Sequence, residues 1–321
     1  MINVQGKPRV CKQNSKSSSK YCETKKYIKR YLHLYILLLL PLIYFIIFKY
    51  GPMFGNIIAF RKYKPGLSIT GVEWVGLKYF KMFLVDPMFW ATLKNSIVLS
   101  TMNLTFAFPI PILFALLLNE IGNPYIKQFV QTISCLPKFI SAVVVVGLIN
   151  ELLSPSSGLV NNILELLGHH PVFFINEPQW FRFIYIASDI WQFMGWNAII
   201  YLASLSNIDV QLYEAAMIDG ANRFKQILHV TIPGMMPTIV ITLILAIGYL
   251  LTLGFEKVLL LYTPSNSSVS DIIDTYVYRI GLQNNNYSYS TAVGLFGGLI
   301  GLFQTSSANY ILRKLSDTSL F

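Results

Sequence analysis

The sequence predicts an all-α, polytopic membrane protein with six transmembrane helices. Hydrophobic residues make up 54% of the 321 residues, charged residues only 12%, and the mean hydropathy is +0.53. These values lie outside the range of soluble globular proteins. Apolar runs of about 20 residues, the length that crosses a bilayer as a helix, recur along the chain. Long apolar runs, rather than short alternating ones, argue against an outer-membrane β-barrel.

Six apolar segments account for the predicted spans. Basic residues between positions 25 and 30 precede the first segment, as in a signal peptide, but no small-residue cleavage site follows. We therefore interpret that segment as an uncleaved helix. The predicted spans are 32–54, 94–119, 129–153, 181–206, 233–255 and 290–312.

The distribution of basic residues predicts the orientation of these spans. If residues 1–31 are cytoplasmic, the inside segments carry 14 Lys and Arg residues, nine of them in 1–31, and the outside loops carry seven. This bias follows the positive-inside rule, so the sequence predicts a multi-pass protein of the plasma (inner) membrane with both termini in the cytoplasm. The net charge of +10 reflects topology, and no nucleic acid partner is expected.

The outside loops carry few chemical signals. Loop 51–93 holds Trp74 and Trp90, as expected of a segment at the membrane interface. Loop 154–180 contains an amphipathic piece, Leu159 to Leu167, that predicts a surface helix. Loop 256–289 is polar and rich in turn-forming residues, so it is suited to face a partner outside the cell.

Cysteine and histidine indicate neither a disulfide framework nor a metal site. The three cysteines are an odd number, and Cys11 and Cys22 lie in the tail predicted to be in the reducing cytoplasm. His169 and His170 are adjacent in an outside loop without a helical i, i+4 spacing, so we expect solvent exposure. No metal ligand and no catalytic residue is assigned.

The inside link 207–232, called here the coupling loop, has the strongest local pattern. Asp209 is a candidate N-cap, and Gly220 is suited to end the helix that follows, because glycine adopts a left-handed conformation without a side-chain clash. A second short helix is predicted from Asn222 to Thr231, with Pro233 in the first turn of the fifth span. An ordinary amphipathic linker with an Asp-Gly turn is the simpler alternative. If the two short helices form a compact knob on the membrane bundle, that knob needs a cytoplasmic protein to bind.

The coupling loop resembles that of permeases of type I ABC importers. The residues that carry the resemblance are Glu214-Ala215-Ala216, Asp219-Gly220-Ala221, Phe224, Ile227, Ile232-Pro233 and Pro237. Further similarity lies in Leu38 to Phe48, Leu136-Pro137, Phe139-Ile140-Ser141, Asp189-Ile190-Trp191, Tyr201-Leu202-Ala203 and Gly254-Phe255-Glu256-Lys257. The resemblance covers nearly the whole chain and is nearest to the oligosaccharide and polysaccharide group of Gram-positive bacteria.

The resemblance implies a fold, a domain organisation and a set of partners. The chain is expected to have the type I permease fold, pair with a second permease as a heterodimer, bind a dimer of ATP-binding subunits and receive a carbohydrate from an extracellular substrate-binding lipoprotein. The expected divisions are a cytoplasmic tail 1–31, a first helix and extracellular loop 32–89, a permease core 90–310 that contains the coupling loop, and a cytoplasmic tail 311–321. Residues Glu214, Ala215, Ala216, Asp219, Gly220 and Ala221 are expected to dock on the ATP-binding subunit.

The energy source is expected on another chain. No Gly-x-x-x-x-Gly-Lys-Ser/Thr string occurs, so this chain is not expected to be an enzyme or to bind a cofactor, and ATP and Mg belong to the partner. Gly294, Gly297, Gly298 and Gly301 lie at helical spacings inside an apolar span and are expected to bring helices close together. A secondary, ion-coupled transporter is the alternative, although we find no inverted repeat or broken helix that would support it.

A polar and aromatic face in the fourth span is a candidate cargo path. Asp189, Gln192 and Trp196 are spaced by three and four, and Phe193 lies beside them. Sugars combine hydroxyls that need hydrogen bonds with C–H faces that pack on rings, and an intramembrane carboxylate usually faces the interior of a bundle. The alternative is that this face only packs the bundle. Lys138 in the third span is either a snorkelling or paired residue or one that acts on cargo or gating.

Overall fold

The computed structural model describes residues 30–68, 71–248 and 254–315, and it is helical wherever it has regular secondary structure. This confirms the predicted all-α class. Contacts divide the chain into two units, residues 1–57 and 58–321. The helices are α1 Leu32–Phe45, α2 Lys78–Val85, α3 Pro87–Met102, α4 Pro109–Asn119, α5 Pro124–Cys135, α6 Ala142–Leu152, α7 Leu159–Leu166, α8 Pro178–Ser206, α9 Val210–Ile218, α10 Arg223–Gln226, α11 Ile232–Gly248, α12 Phe255–Leu261, α13 Ser267–Ser270, α14 Ile273–Tyr278 and α15 Tyr287–Leu315.

The first unit contains α1 and the helical turns that continue it. A π-helical turn, Ile46–Tyr50, follows α1, and helical structure runs on to Phe60. The resulting helix, Leu32–Phe60, is long and apolar enough to cross a membrane. The helix therefore continues for about three turns past residue 51, where the outside loop is predicted to begin, and the position of the membrane boundary there stays a prediction.

Two other predicted spans are also single long helices. Pro87–Asn119 combines α3 and α4 through the π-helical turn Asn103–Ala107, and Arg223–Gly248 combines α10 and α11 through the π-helical turn Ile227–Thr231. The second short helix of the coupling loop was thus predicted wrongly as a separate element, because the π-helical turn carries it directly into the fifth span. Residues 249–253 of that predicted span lie outside the described residues.

The third predicted span is not a straight helix. α5 and the 3₁₀ turn Leu136–Phe139 meet α6 at an angle of 100°. The chain turns at Ile140, which has extended backbone, and Ser141 caps α6 by accepting a hydrogen bond from the backbone N–H of Val144. The prediction of one continuous helix over 129–153 was wrong because hydropathy does not register a break whose flanking residues are equally apolar.

The fourth and sixth predicted spans coincide with α8 and α15, each of 29 residues. Both are long enough to cross a bilayer, at about 1.5 Å per residue, but less apolar than the other spans. For the four glycines of α15, a side-chain carbon added to the backbone would have no other part of the described chain within 4 Å. The expectation that they bring helices close together is therefore wrong within this chain.

One cluster of buried residues joins α4, α8 and α11 near the coupling loop. It contains Ala115, Leu116, Ala198, Tyr201, Leu205 and Met235. Hydroxyl contacts add to this packing between α8 and α11: Tyr201 Oη lies 3.0 Å from Thr242 Oγ1, and Thr238 donates to Ser204 Oγ at 2.9 Å. α8 and α11 are therefore held together by both apolar and polar contacts.

Two buried asparagines organise the loops at the opposite end of α8. Asn161 is 1% exposed and donates to the carbonyls of Leu153, Ser154 and Val172. Asn266 is fully buried and donates to the carbonyls of Ile175 and Leu261. Because buried polar groups need partners, these side chains fix the loop paths.

The predicted surface helix Leu159–Leu167 is present as α7, and His169 and His170 are exposed as expected.

Candidate functional site: the coupling loop and the cargo face

The coupling loop begins with a capped helix whose boundaries match the predicted signals. The Asp209 side chain accepts a hydrogen bond of 2.9 Å from the backbone N–H of Gln211, which caps α9 as predicted. At the other end Gly220 has a φ of +76°, in the left-handed region. Its N–H donates to Met217, and the N–H of Ala221 donates to Ala216. This pair of bonds is a Schellman motif, and it turns the chain sharply after α9.

The side chains of α9 face outward. None of its residues is buried, and Ile218 is 86% exposed. Of the motif residues, Glu214, Ala215, Asp219 and Gly220 are exposed, and Ala216 and Ala221 are partly buried. Phe224, on α10, is 72% exposed. A short helix with this many exposed apolar side chains and an exposed carboxylate forms a surface suited to another protein.

The coupling loop is tied to the neighbouring inside link by a weak contact. Arg223 lies 3.7 Å from Glu120, and the two side chains are 84% and 39% exposed. Exposed ion pairs of this kind contribute little, about 0–1 kcal/mol. The position of the loop therefore does not depend on this pair.

The candidate cargo path of α8, Asp189, Gln192, Phe193 and Trp196, is called here the cargo face. It centres on Asp189, which the structure pairs with a lysine. The Lys257 ammonium donates to Asp189 Oδ1 at 3.1 Å and is 5% exposed, and Asn103 donates to Asp189 Oδ2 at 3.0 Å. Asn103 begins the π-helical turn between α3 and α4, and Lys257 lies on α12. Two segments distant in sequence therefore converge on one carboxylate of α8.

A glycine sets the position of Lys257. Gly254 caps α12 with a φ of +60°, and a side-chain carbon added there would lie 1.9 Å from the Tyr185 hydroxyl oxygen. No other residue would tolerate both the left-handed backbone and this close approach. The segment Gly254-Phe255-Glu256-Lys257 thus fixes α12 against α8, and Lys257 reaches Asp189 one turn later.

Two lysines contact the ring of Phe193. The Lys138 ammonium is 4.2 Å from the centroid of that ring, and the Lys257 ammonium is 5.4 Å from the same centroid. Both distances fall within the range of cation–π contacts. The cluster holds two cations and one carboxylate, and Lys138 has no carboxylate within ion-pair distance among the described residues.

Three of the four predicted cargo residues line cavities. Asp189 and Phe193 line a cavity of about 150 Å³, and Trp196 lines an adjoining cavity of about 310 Å³ that shares Asn197 and Phe108 with the first. Gln192 lines neither cavity. It is 4% exposed and donates to the carbonyl of Ile140, at the bend between α5 and α6. The structure therefore gives Gln192 a packing role at the bend.

The sequence interpretation missed Lys257 and Asn103 as members of this cluster. Lys257 belongs to a segment that carries the family resemblance, but the sequence assigned it no role. A lysine next to an apolar run, with an aspartate in another span, was the signal that could have found it, because intramembrane charges usually pair. Asn103 carried a weaker signal, a lone amide inside an apolar span.

Three comparisons with known proteins identify the family of this chain. Residues 107–317 match the family described as the binding-protein-dependent transport system inner membrane component. The chain is 46% identical to the polygalacturonan/rhamnogalacturonan transport system permease protein YteP of Bacillus subtilis (strain 168), over 90% of each chain, and 43% identical to protein LplB of the same organism, over 92% of each. It also resembles a crystal structure of a bacterial ABC transporter involved in the import of the acidic polysaccharide alginate, with a TM-score of 0.85, 41% identity and coverage of 92% of this chain and 99% of the other.

Proposed function

The chain belongs to the binding-protein-dependent transport system inner membrane components, and from this premise we propose that it moves an oligosaccharide inward while separate subunits hydrolyse ATP. It is a multi-pass ABC importer permease of the inner membrane and not a secondary transporter. The observation that carries the proposal is the coupling loop, an exposed and apolar helical knob with a fixed turn after it.

The ATP-binding subunit is proposed to dock on α9. Small residues at Ala215 and Ala216 permit a close approach, and the Glu214 carboxylate can pair with a basic group of the partner. The exposed side chains of Ile218 and Phe224 supply apolar area that docking would bury. ATP and Mg belong to that subunit, and this chain is proposed to bind no cofactor.

The remaining partners follow from the family. A second, similar permease is proposed to complete the path, and a lipid-anchored binding protein is proposed to deliver cargo from outside. A solved relative is described as an alginate transporter in complex with an alginate pentasaccharide-bound periplasmic protein, which supports a binding-protein partner here. The charge distribution supports a cytoplasmic location for both termini.

The cargo is proposed to be an acidic oligosaccharide. One similar transporter is described as importing the acidic polysaccharide alginate, and a similar permease is described by polygalacturonan/rhamnogalacturonan. In this chain, Lys138 and Lys257 outnumber Asp189 around the Phe193 ring, so the cluster attracts a carboxylate. Lys257 is already paired with Asp189, so Lys138 is the lysine proposed to bind the carboxylate of the cargo. A neutral oligosaccharide is the second candidate, because a similar permease of Bacillus subtilis is described by arabinooligosaccharides.

Purification of the tagged chain from its native membrane in mild detergent tests the assembly. We expect a second permease and an ATP-binding subunit to co-purify, and we expect ATPase activity to rise when the binding protein is added with a uronic-acid oligosaccharide. Recovery of this chain alone, with intact α9, would contradict the proposed assembly.

Substitution Lys138→Gln tests the cargo charge. We expect the concentration of acidic oligosaccharide for half-maximal uptake to rise about tenfold, because one charge-assisted hydrogen bond is lost. Uptake of a neutral arabinooligosaccharide is expected to be unchanged or improved. Lys127→Gln, which removes a partly buried lysine from the inside link, is the matched control. Equal losses for acidic and neutral cargo would reject charge recognition by Lys138.

A further inference from the structure

The coupling helix α9 is attached to the fifth span at two points. Before α9, the Ile208 side chain packs so closely on Gly234 that a side-chain carbon there would lie 2.8 Å from Ile208 Cδ1. Within α9, the Tyr213 hydroxyl lies 3.1 Å from Thr231 Oγ1. In the described part of the chain, this is the one side-chain hydrogen bond that joins α9 to another helical element.

The direction of the Tyr213–Thr231 hydrogen bond follows from the partners of Thr231. Thr231 is 3% exposed, and its hydroxyl donates to the carbonyl of Gln226 at 3.4 Å. Its oxygen is therefore free to accept from the Tyr213 hydroxyl. Gln226 is also buried, and its amide donates to the carbonyl of Ala221 at 2.9 Å. This chain of bonds connects α9, the turn after Gly220 and the start of the fifth span.

The chain of hydroxyl contacts continues from the fifth span to the helix that carries the cargo face. Thr231, Thr238 and Thr242 are seven and four residues apart, which places them on one side of the helix. Thr238 and Thr242 contact Ser204 and Tyr201 of α8. Asp189, Phe193 and Trp196 lie further along α8. A displacement of α9 that reaches Thr231 therefore reaches α8 as well.

We propose that Tyr213 and Thr231 are positioning residues that transmit movement of the coupling helix to the fifth span and to α8. This inference rests on the proposed function, because it needs an ATP-binding subunit that moves α9. The covalent connections of α9 hold only its two ends, whereas the contact of Tyr213 with Thr231 joins the middle of α9 directly to the fifth span. The Tyr213 side chain has a rigid ring and one fixed polar contact, so it resists displacement of α9 relative to Thr231.

Substitution Tyr213→Phe in the whole complex, reconstituted in liposomes, tests the proposal. It removes the hydroxyl and keeps the ring, so folding and docking are expected to persist. We expect the amount of cargo transported per ATP hydrolysed to fall about threefold or more, in line with the loss of one partly buried hydrogen bond, while ATPase activity persists. Thr231→Val is expected to give the same fall, and the double variant no larger one. Tyr125→Phe is the matched control, because Tyr125 is 83% exposed on the neighbouring inside link.

The outcomes separate this inference from the proposed function. An unchanged ratio of transport to ATP hydrolysis in Tyr213→Phe would overturn the inference while the wild-type complex still transports. A parallel fall of transport and ATPase activity, with reduced complex yield, would also overturn it, because Tyr213 would then only support the fold. The absence of ATP-driven transport by the wild-type complex would instead contradict the proposed function.

Discussion

The coupling loop and the cargo face satisfy their polar groups in opposite ways. In the coupling loop, most hydrogen bonds join residues within five positions of each other, and α9 has no buried side chain. On the cargo face, Asp189 is bound by residues 86 and 68 positions away, and Lys257 is 5% exposed. Because local hydrogen bonds hold α9 in place, its apolar side chains can stay exposed and bind another protein. A buried charge in an apolar bundle needs partners from other helices.

Substitution Gly220→Pro is expected to have the largest effect, and it tests the coupling loop alone. Proline cannot adopt a φ of +76° and lacks the N–H that Gly220 donates to Met217. We expect transport to fall by more than about tenfold, because proline cannot form this turn, with normal insertion in the membrane. Uptake assays and membrane-fraction blots measure the two effects. Gly220→Asn, which tolerates the left-handed region, is the control and should retain most transport. Full transport by the proline variant would show that the turn has no part in coupling.

The two ion pairs offer a direct contrast between the regions. Lys257→Met leaves the Asp189 carboxylate in the bundle without its cation, and we expect a loss of about 3 kcal/mol in the free energy of unfolding. Arg223→Gln breaks the exposed pair with Glu120 and should cost less than about 1 kcal/mol. Thermal unfolding of the purified complex in detergent measures both. The double variant Asp189→Asn with Lys257→Met should recover part of the loss. Equal costs for the two single variants would erase the difference between the regions.

The smallest expected effect concerns Asp274, a carboxyl outside both regions. Burial raises the pKa of Asp274 above the ordinary 3.8, and the described residues supply no ion-pair partner for it. The folded protein then holds this proton more tightly than the unfolded chain does. The ionised form therefore costs stability as the pH rises above 3.8, and the cost is fully present above the raised pKa of the folded state.

Substitution Asp274→Asn removes that cost. We expect a melting temperature a few degrees higher at pH 7, by about 2–4 °C for each kcal/mol gained, and a difference that disappears below about pH 4. Melting curves of the variant and the wild type over this pH range measure the effect. A difference of constant size at every pH would mean that the Asp274 charge is not its cause.

Much of the fold was readable from local patterns. Asp209 and Gly220 marked both ends of α9, because helix caps depend on neighbouring residues. The 100° bend at Ile140 was not predictable in the same way. The residues on both sides of it are apolar, and Gln192 of α8, which donates to the carbonyl of Ile140, is 52 positions away.

For the candidate site, the helical spacing selected Asp189, Phe193 and Trp196, which line the cavities, but it also selected Gln192, which does not.

The sequence by itself determined the all-α membrane class, the position of the coupling loop and the family, because hydropathy, caps and motifs are local properties of the chain. Only the tertiary structure decided that Lys257 and Asn103 share Asp189, that Lys138 lies over Phe193, and that Tyr213 meets Thr231. These pairs join residues from different helices, and spacing along the chain does not encode which side chains meet. In an apolar bundle their geometry is set by where helices bend and cross, since a buried polar group must find its partner across that packing.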